Sequence, residues 1–221
     1  MKSSSFIGAL VNLHFENAFN PYAEACPVHD VDAAPAIRCR NLELVLEAAL
    51  AGGVESLWIA RDLGYRGGRR TGLALTDEVH LSAHAGLYGA LQLTRATRGP
   101  IVSERTATVI WQVLRHLKRP IFLWNVFPLH PHESGNPLSN RRHTREERQA
   151  CRHLLVWLLQ ALQPRMVIAI GRDAQLALTD LEVEAENVRH PSYGGQTEFL
   201  DGMYNRYGVR DPTEPITERL L

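Results

Sequence analysis

The sequence predicts an α/β protein, a three-layer α/β/α sandwich around a central, mostly parallel sheet of four strands. Apolar runs of the buried-strand type occur at 56–60, 121–126 and 166–170, and a brief fourth lies around Val188. Helical segments separate these runs, and parallel strands joined by helices are covered on both faces. With 45% hydrophobic residues, the chain can build a substantial core. We therefore expect one domain over residues 1–221.

The two ends of the chain are predicted to be irregular. Residues 1–40, rich in Asn, Pro and Asp, read as an arm that packs on the domain, and 208–221 read as a tail. Asn41 is the predicted start of the first helix, which Gly52 and Gly53 end.

The later helices follow from caps and apolar spacing. Thr144 and Glu147 form a capping box, which opens a helix that ends near Leu162, before Pro164. Four further helices are predicted, one from Asp77 onward and the others over 103–117, 173–178 and 198–207.

Three loops are predicted to meet at one edge of the sheet. They are the Gly- and Arg-rich loop 61–76, the polar loop 125–143 and the loop 190–197, and each follows the end of a predicted strand. Parallel sheets bind their ligands beyond the carboxyl ends of the strands. This edge is therefore the expected site.

Charge and cysteine content narrow the classes of partner and cofactor. Lys and Arg number 24 and Asp and Glu number 24, so no global basic field indicates nucleic acid. Nearly all the cations are arginines, whose planar fork suits phosphate, although a GC-rich genome gives the same bias. Cys26, Cys39 and Cys151 lack Cys-x-x-Cys spacing, which argues against a disulfide framework, an iron–sulfur cluster and a structural zinc site.

A metal hydrolase is the remaining cofactor-dependent alternative. His80 and His84 are four residues apart on a predicted helix, and His130 and His132 form a second pair. Neither pair has a third ligand at a usual spacing, so we expect no metal. The glycines of loop 61–76 form neither a P-loop nor a dinucleotide fingerprint, and we expect no organic cofactor.

The sequence also bears on location. No run is long and apolar enough to span a bilayer, and the first residues lack the pattern of a signal peptide. We expect a cytoplasmic monomer without a membrane partner, associated with the nucleoid if the organism is a bacterium.

Polar residues at the predicted strand ends are the candidates for chemistry. Asp62 could serve as a base or stabilise a developing cation, or it could simply pair with Arg61 or Arg66. Asn125 interrupts an apolar strand, where its amide could read a planar heterocycle or tie loops together. His190 opens a loop that Pro191 stiffens, and it offers a proton donor at the surface.

Taken together, four segments resemble the uracil-DNA glycosylase superfamily, and the resemblance covers residues 20–207. The segments are Ala-Arg-Asp-Leu-Gly-Tyr-Arg-Gly at 60–67, Thr-Gly-Leu-Ala-Leu-Thr at 71–76, Trp-Asn-Val at 124–126 and His-Pro-Ser at 190–192. The resemblance implies base-excision repair: a flipped uracil is cut from single- or double-stranded DNA by hydrolysis, leaving an abasic site without a metal or organic cofactor.

The resemblance also implies residue roles. Asp62 matches the aspartate of the Gly-Gln-Asp-Pro-Tyr-His motif, and His190 matches the histidine that faces uracil O2, so these two are the expected catalytic residues. The expected uracil-binding residues are Asn125, Tyr65, Leu75, Gly64 and Arg61. The expected DNA-binding residues are Arg66, Arg69, Ser192, Tyr193, Gly194 and Arg141.

Two departures from the family pattern concern the base pocket. Leu75 replaces an aromatic residue that stacks on uracil, so stacking must weaken or move to Tyr65 or Phe127. Gly64 replaces the tyrosine that excludes thymine, with Tyr65 or Arg61 as substitutes. The flanking segments, Gly-Tyr-Arg-Gly at 64–67 and Asn-Arg-Arg-His-Thr at 140–144, look more like the branch with a Gly-Glu-Ala-Pro-Gly motif. That branch commonly carries an iron–sulfur cluster, which this cysteine set cannot supply.

These departures keep two alternatives open. A glycosylase could act on another base, either a mismatched thymine or a deaminated purine. A non-catalytic relative could bind damaged DNA without cutting it, although the presence of both Asp62 and His190 argues against this.

Overall fold

A computed structural model describes residues 2–210. The strands are β1 (Ala18–Phe19), β2 (Ser56–Asp62), β3 (Ile121–Phe127), β4 (His130–Pro131), β5 (Met166–Ile170) and β6 (Glu186–Val188). The helices are α1 (Ser3–Val11), α2 (Ala34–Gly52), α3 (Gly68–Thr71), α4 (Leu81–Gly86), α5 (Arg105–Leu117), α6 (Arg145–Leu162), α7 (Arg172–Thr179) and α8 (Gln196–Tyr207).

The central sheet has the order β3-β2-β5-β6, and all its neighbouring strands are parallel. The predicted α/β class and four-stranded sheet are confirmed. β1 and β4 form a separate antiparallel pair. In the central register Ala60 lies opposite Asn125 and Asp62 lies opposite Phe127, so Asp62 and Asn125 both lie near the carboxyl ends of these neighbouring strands.

Helices cover both faces of the sheet, as the alternation along β2 requires. Leu57 and Ile59 face a core built with α1, α2, α6 and α7. Trp58 and Ala60 face a second core built with α5 and α8. Two cores separated by one sheet make the predicted three-layer sandwich.

The irregular arm predicted for residues 1–40 is wrong in two places. α1 is helical and buries Phe6 and Leu10 completely, and the Phe6 ring lies 5.3 Å from that of Trp124. The side-chain amide of Asn20 then holds the end of α1 by donating to the Leu10 carbonyl at 2.8 Å. No side chain caps the start of α1, so the sequence lacked the usual signal for a helix.

The start of α2 was also misplaced. α2 begins at Ala34, with Pro35 in its first turn, and its cap residue Ala33 makes no side-chain hydrogen bond. Asn41, taken as the cap, is buried within the helix. Its amide bonds both backbone groups of Thr94, donating at 2.7 Å and accepting at 2.9 Å.

The other predicted helices and strands are confirmed, with small changes at their ends. The capping box at Thr144 is present, since its hydroxyl accepts from the Glu147 N–H and the Glu147 carboxylate accepts from the Thr144 N–H. β2 continues two residues beyond its predicted end. Of the predicted tail, 211–221 lie outside the described residues.

Across the described residues, every helix is too short or too polar to traverse a lipid bilayer.

Candidate active site

A cavity of about 510 Å³ opens at the carboxyl edge of the sheet. The three loops predicted to converge all contribute to it, and so do the start of α5 and the turn between β5 and α7. Its lining includes Arg61, Asp62, Gly64, Leu75, Glu104, Thr106, Arg141, Arg142, Arg172, Asp173, His190, Ser192 and Tyr193.

Asp62 is the last residue of β2, and its side chain is only 5% exposed. Its Oδ2 accepts from Arg61 Nε at 2.5 Å, and its Oδ1 accepts from His143 Nδ1. Donors on both oxygens fix the orientation of the carboxylate. The site thus contains a preorganised carboxylate at a strand end.

His190 lines the same cavity as Asp62, and the loop that it opens fixes its ring. The backbone N–H of Ser192 donates to His190 Nδ1 at 3.2 Å, and the Ser192 hydroxyl lies 2.8 Å from the same nitrogen. Since a backbone N–H can only donate, Nδ1 is an acceptor and the neutral ring carries its proton on Nε2. Burial, with a smaller effect of Arg61, lowers the pKa of His190 to about 4. At neutral pH His190 is therefore an uncharged N–H donor.

The loop after His190 projects an aromatic ring into solvent. Tyr193 is 97% exposed and has a φ of 51°, a left-handed conformation that an aromatic residue rarely adopts. Gly195 closes the loop, where a Cβ would overlap the His190 carbonyl oxygen. The loop is therefore compact at its base and exposed at its tip.

Asn125 is buried beneath the strand ends and does not line the cavity. Its Nδ2 donates to the Asp62 carbonyl at 3.0 Å. Its Oδ1 is buried and has no hydrogen-bond partner among residues 2–210. A buried acceptor without a hydrogen-bond partner lowers the stability of the folded state, so this Oδ1 is a candidate for binding a ligand. One Nδ2 hydrogen and the Oδ1 acceptor remain for a ligand that reaches this depth.

Leu75 and Gly64 form part of the cavity wall, as expected for residues beside a bound base. Leu75 has a φ of 54° and directs its carbonyl to the Trp111 indole N–H at 3.1 Å. The two proposed replacements for the missing aromatic do not reach the cavity lining: Tyr65 stacks with Arg66, and Phe127 is fully buried. The structure therefore leaves Leu75 as an aliphatic wall.

Arg69, expected to contact DNA, is wrongly assigned. It is 2% exposed, and its guanidinium lies 3.7 Å from the centre of the Phe19 ring. Its Nη1 donates to the Pro137 carbonyl at 3.1 Å and lies 2.9 Å from His130 Nδ1. Arg69 therefore ties the loops together from inside.

Arg141, also expected to contact DNA, lines the cavity but is committed to the protein. Its guanidinium donates twice to the Glu147 carboxylate, at 2.8 and 2.5 Å, and once to the His132 carbonyl at 3.0 Å. Arg66 and Gly194, by contrast, are exposed. The expected roles of these two in DNA binding stay predictions.

Sequence reasoning missed several residues that build the site. His143 holds Asp62, and Asp173 pairs with both Arg142 and Arg61, at 3.8 Å in the latter case. His143 stands in the Asn-Arg-Arg-His-Thr segment that looked similar to one family branch, which was its only signal. Asp173 is an ordinary first-turn residue of a helix, and nothing in its spacing indicates a site.

The histidine pairs considered for a metal are engaged elsewhere. His80 Nδ1 lies 2.5 Å from Asp77 Oδ1, and His84 Nδ1 lies 3.0 Å from the Thr76 hydroxyl. His130 Nε2 lies 2.8 Å from the Ser139 carbonyl. Within the described part of the chain, no group of three or more His, Cys, Asp or Glu side chains is placed to hold a metal ion.

Glu104, a further lining residue, carries a perturbed carboxyl. Burial, reinforced by the Asp77 carboxylate, raises the pKa of Glu104 to about 7, and Arg66 acts in the opposite direction. No group among residues 2–210 donates a hydrogen bond to this carboxyl, which explains why its charge is poorly tolerated.

This raised pKa predicts a pH-dependent effect of Glu104→Gln on stability. As the pH rises from about 4.5 to 7, the unfolded chain ionises first, so the wild type loses stability that the Gln variant keeps. We expect the variant's advantage in unfolding free energy to be larger at pH 8 than at pH 5, by about 1–3 kcal/mol. Urea melts at both pH values measure it, with exposed Glu184→Gln as the control. Parallel pH profiles for Glu104→Gln and wild type would contradict it.

Comparison with known proteins now identifies the family. The family model for the uracil DNA glycosylase superfamily matches residues 66–207, well over half of the chain. The chain belongs to this superfamily.

The overall structure agrees with the uracil DNA glycosylase superfamily. It is similar to the crystal structure of SMUG2 from Pedobacter heparinus, with a TM-score of 0.60 and 11% sequence identity. The similarity covers 93% of this chain and 95% of that one, and at this identity it supports the shared fold. A search of curated proteins finds no match.

Membership makes this protein a DNA glycosylase, a hydrolase of N-glycosyl bonds that acts on DNA in repair. Asn125 and His190 fall inside the segment that matches the superfamily, whereas Asp62 precedes it. The assignment of Asp62 to the site therefore depends on the structure, which brings it into the same cavity as His190.

Proposed function

We propose that this glycosylase hydrolyses the N-glycosidic bond of uracil in DNA and leaves an abasic site. One observation carries the proposal: a single cavity is lined by a neutral imidazole N–H donor, His190, and by a fixed carboxylate, Asp62. Cleavage of this bond places negative charge on the base and positive charge on the sugar. The two side chains match these two charges.

His190 acts on the leaving base. As the bond to the sugar breaks, negative charge develops on uracil, including its O2 atom. The Nε2–H of His190 donates a hydrogen bond to that oxygen, and the fixed Nδ1 keeps the ring in the required tautomer. Because the ring is neutral, it stabilises the anion without needing to transfer a proton.

Asp62 acts on the sugar and on water. Its carboxylate offsets the positive charge of the oxocarbenium-like sugar and orients the attacking water. His143 and Arg61 hold the carboxylate in place, and each oxygen keeps a lone pair for the water.

Asn125 selects the base. Uracil presents an acceptor at O4 and a donor at N3, and these match the free Nδ2 hydrogen and the unpaired Oδ1 of Asn125. Cytosine presents the reverse pattern, a donor at N4 and an acceptor at N3. To reach this buried amide, the base has to enter the cavity fully, which requires flipping.

The exposed tip of the 190–197 loop contacts the DNA. Tyr193 occupies or presses on the gap left by the flipped nucleotide, and Ser192 and the exposed Gly194 backbone lie beside the phosphates. Arg61 and exposed Arg66 supply positive charge on the opposite loop.

The test is the release of uracil from a defined oligonucleotide. The full chain is incubated with labelled single- and double-stranded DNA that contains one uracil, in the presence of chelator, and alkali then cleaves any abasic site. We expect cleavage at the uracil in at least one of the two DNA forms. Binding without product would instead favour a non-catalytic damage-binding relative.

A second candidate function is the excision of another base. The cavity volume of about 510 Å³ and the aliphatic wall at Leu75 would accommodate a deaminated purine as well as a pyrimidine. Oligonucleotides that carry hypoxanthine, xanthine or a thymine mismatch, assayed beside uracil, decide between these bases.

The role of Asn125 gives a prediction of its own. Asn125→Asp is expected to raise the ratio of cytosine to uracil excision, on the order of 100-fold, because the carboxyl side chain no longer matches the uracil edge. Excision from oligonucleotides with one uracil or one cytosine measures this ratio. The exposed Asn205→Asp serves as the control and should leave the ratio as it is. An unaltered ratio in Asn125→Asp would show that another group reads the base.

A further inference from the structure

The carboxyl of Glu104 fills a space in the wall of the cavity. It lies against the turn that contains Gly64 and Gly67, so closely that a Cβ on either glycine would overlap a carboxyl oxygen. Such a Cβ would lie 3.1 Å from the Glu104 Cδ at Gly64 and 2.9 Å at Gly67. The missing side chains of these glycines are replaced, in space, by Glu104.

The backbone of Glu104 is fixed, which directs its side chain to this turn. Glu104 is the N-cap residue of α5, yet its side chain does not cap the helix. Instead, its N–H donates to Asp77 Oδ2 at 2.6 Å, and Asp77 Oδ1 is held by His80 Nδ1 at 2.5 Å. The carboxyl therefore does not cap α5 and lies in the cavity wall instead.

The shape of a pyrimidine decides which part of the base meets this wall. C5 lies directly across the ring from C2, so a base whose O2 faces His190 directs C5 away from the 190–193 loop. In the proposed reading of the base, the edge that carries N3 and O4 faces Asn125, whose amide lies beneath the cavity lining. The wall that remains for C5 comes from the 63–68 turn and the start of α5, where Gly64, Glu104 and Thr106 line the cavity.

We propose that Glu104 is a specificity-determining residue, whose carboxyl occupies the space that the C5 methyl group of thymine would need. The inference rests on the proposed uracil excision and names the residue that excludes thymine. Uracil, with hydrogen at C5, fits beside the carboxyl. The methyl group of thymine would overlap the carboxyl. It would also displace water from the carboxyl without offering a hydrogen bond in return.

The two residues that sequence reasoning offered for this task fit it less well. Tyr65 does not line the cavity, and its ring is covered by Arg66 at 5.4 Å. Arg61 is held by Asp62 and Asp173. Glu104, in contrast, has no competing hydrogen bond to its carboxyl in the described part of the chain.

The test compares thymine and uracil excision in two Glu104 variants. Glu104→Ser removes the carboxyl but keeps a good N-cap for α5, whereas Glu104→Gln keeps the volume and removes the charge. Single-turnover kcat/KM is measured on duplexes with G·T and G·U pairs. We expect Glu104→Ser to raise the thymine-to-uracil ratio by about 10- to 200-fold, the range typical of one methyl group in a pocket. Glu104→Gln and the exposed Glu184→Ser should keep the wild-type ratio.

A third variant tests whether the change in the thymine-to-uracil ratio comes from the space that the Glu104 carboxyl fills. Gly64→Ala in the Glu104→Ser background puts a methyl group where the carboxyl was, so we expect it to recover part of the thymine rejection. Thermal melts show that each variant folds. If folded Glu104→Ser excises uracil and its thymine-to-uracil ratio equals that of the wild type, the proposal for Glu104 is overturned while uracil excision stands. If the wild type itself releases no uracil, the proposed function fails instead.

Discussion

Replacing His190 by alanine is expected to slow base excision by about 10²–10³-fold, the usual effect of removing one preorganised donor to a developing anion. The substitution removes the Nε2–H that, in the proposed mechanism, faces the leaving base. It leaves Tyr193 and the exposed loop tip, so DNA affinity should change little. Single-turnover excision and DNA binding by fluorescence anisotropy measure the two quantities separately.

Two comparisons make the His190 experiment specific. Exposed His153→Ala, on α6 outside the cavity, should behave as the wild type. Because the pKa of His190 is lowered to about 4, its protonation should not reduce the rate between pH 6 and 8. A rate that falls steeply above pH 7 in the wild type but not in His190→Ala would mean that His190 acts as a cation.

Replacing Asp62 by asparagine is expected to slow excision by about 10²–10⁴-fold, the range for a positioned base. Asparagine has nearly the same shape, but it lacks the charge that, in the proposed mechanism, balances the sugar cation and directs water. The rate of abasic-site formation measures the effect, with saturating enzyme so that weaker binding does not contribute.

The Asp62 experiment needs a check on folding, because its carboxylate also holds His143 and Arg61. Circular dichroism and a thermal melt provide it, and exposed Asp32→Asn is the matched control. Full activity of a folded Asp62→Asn would remove Asp62 from the mechanism. A loss confined to DNA affinity would assign it to binding rather than chemistry.

Much of the fold was predictable because strands and caps leave strong local signals. The run 166–170 is apolar and lies between Pro164 and Gly171, and the structure has β5 at those residues. The capping box at Thr144 fixed the start of α6 equally well. α1 and the start of α2 were missed because no side chain caps either helix, and their stability comes from tertiary packing.

The candidate site was predictable only where a motif stands on a strand end. Asp62 and His190 satisfy that condition, and the structure brings both to one cavity. Arg69 resembled its exposed neighbour Arg66 in sequence, but it folds inward over Phe19, which depends on residues some fifty positions away. Glu104 lines the cavity and His143 holds Asp62 through tertiary contacts, so only the family resemblance of the segment around His143 gave any signal for either residue.

The exposed ring of Tyr193 bears on the energetics of the proposed opening of the DNA. In the free protein this aromatic ring is almost fully hydrated and sits on a left-handed backbone, so the unbound state is raised in free energy at that point. In the proposed DNA complex, contact with the unstacked bases would dehydrate the ring and release part of that free energy. That release would offset part of the few kcal/mol that unstacking requires. On this proposal, the free enzyme would favour distorted DNA before any base reaches the cavity.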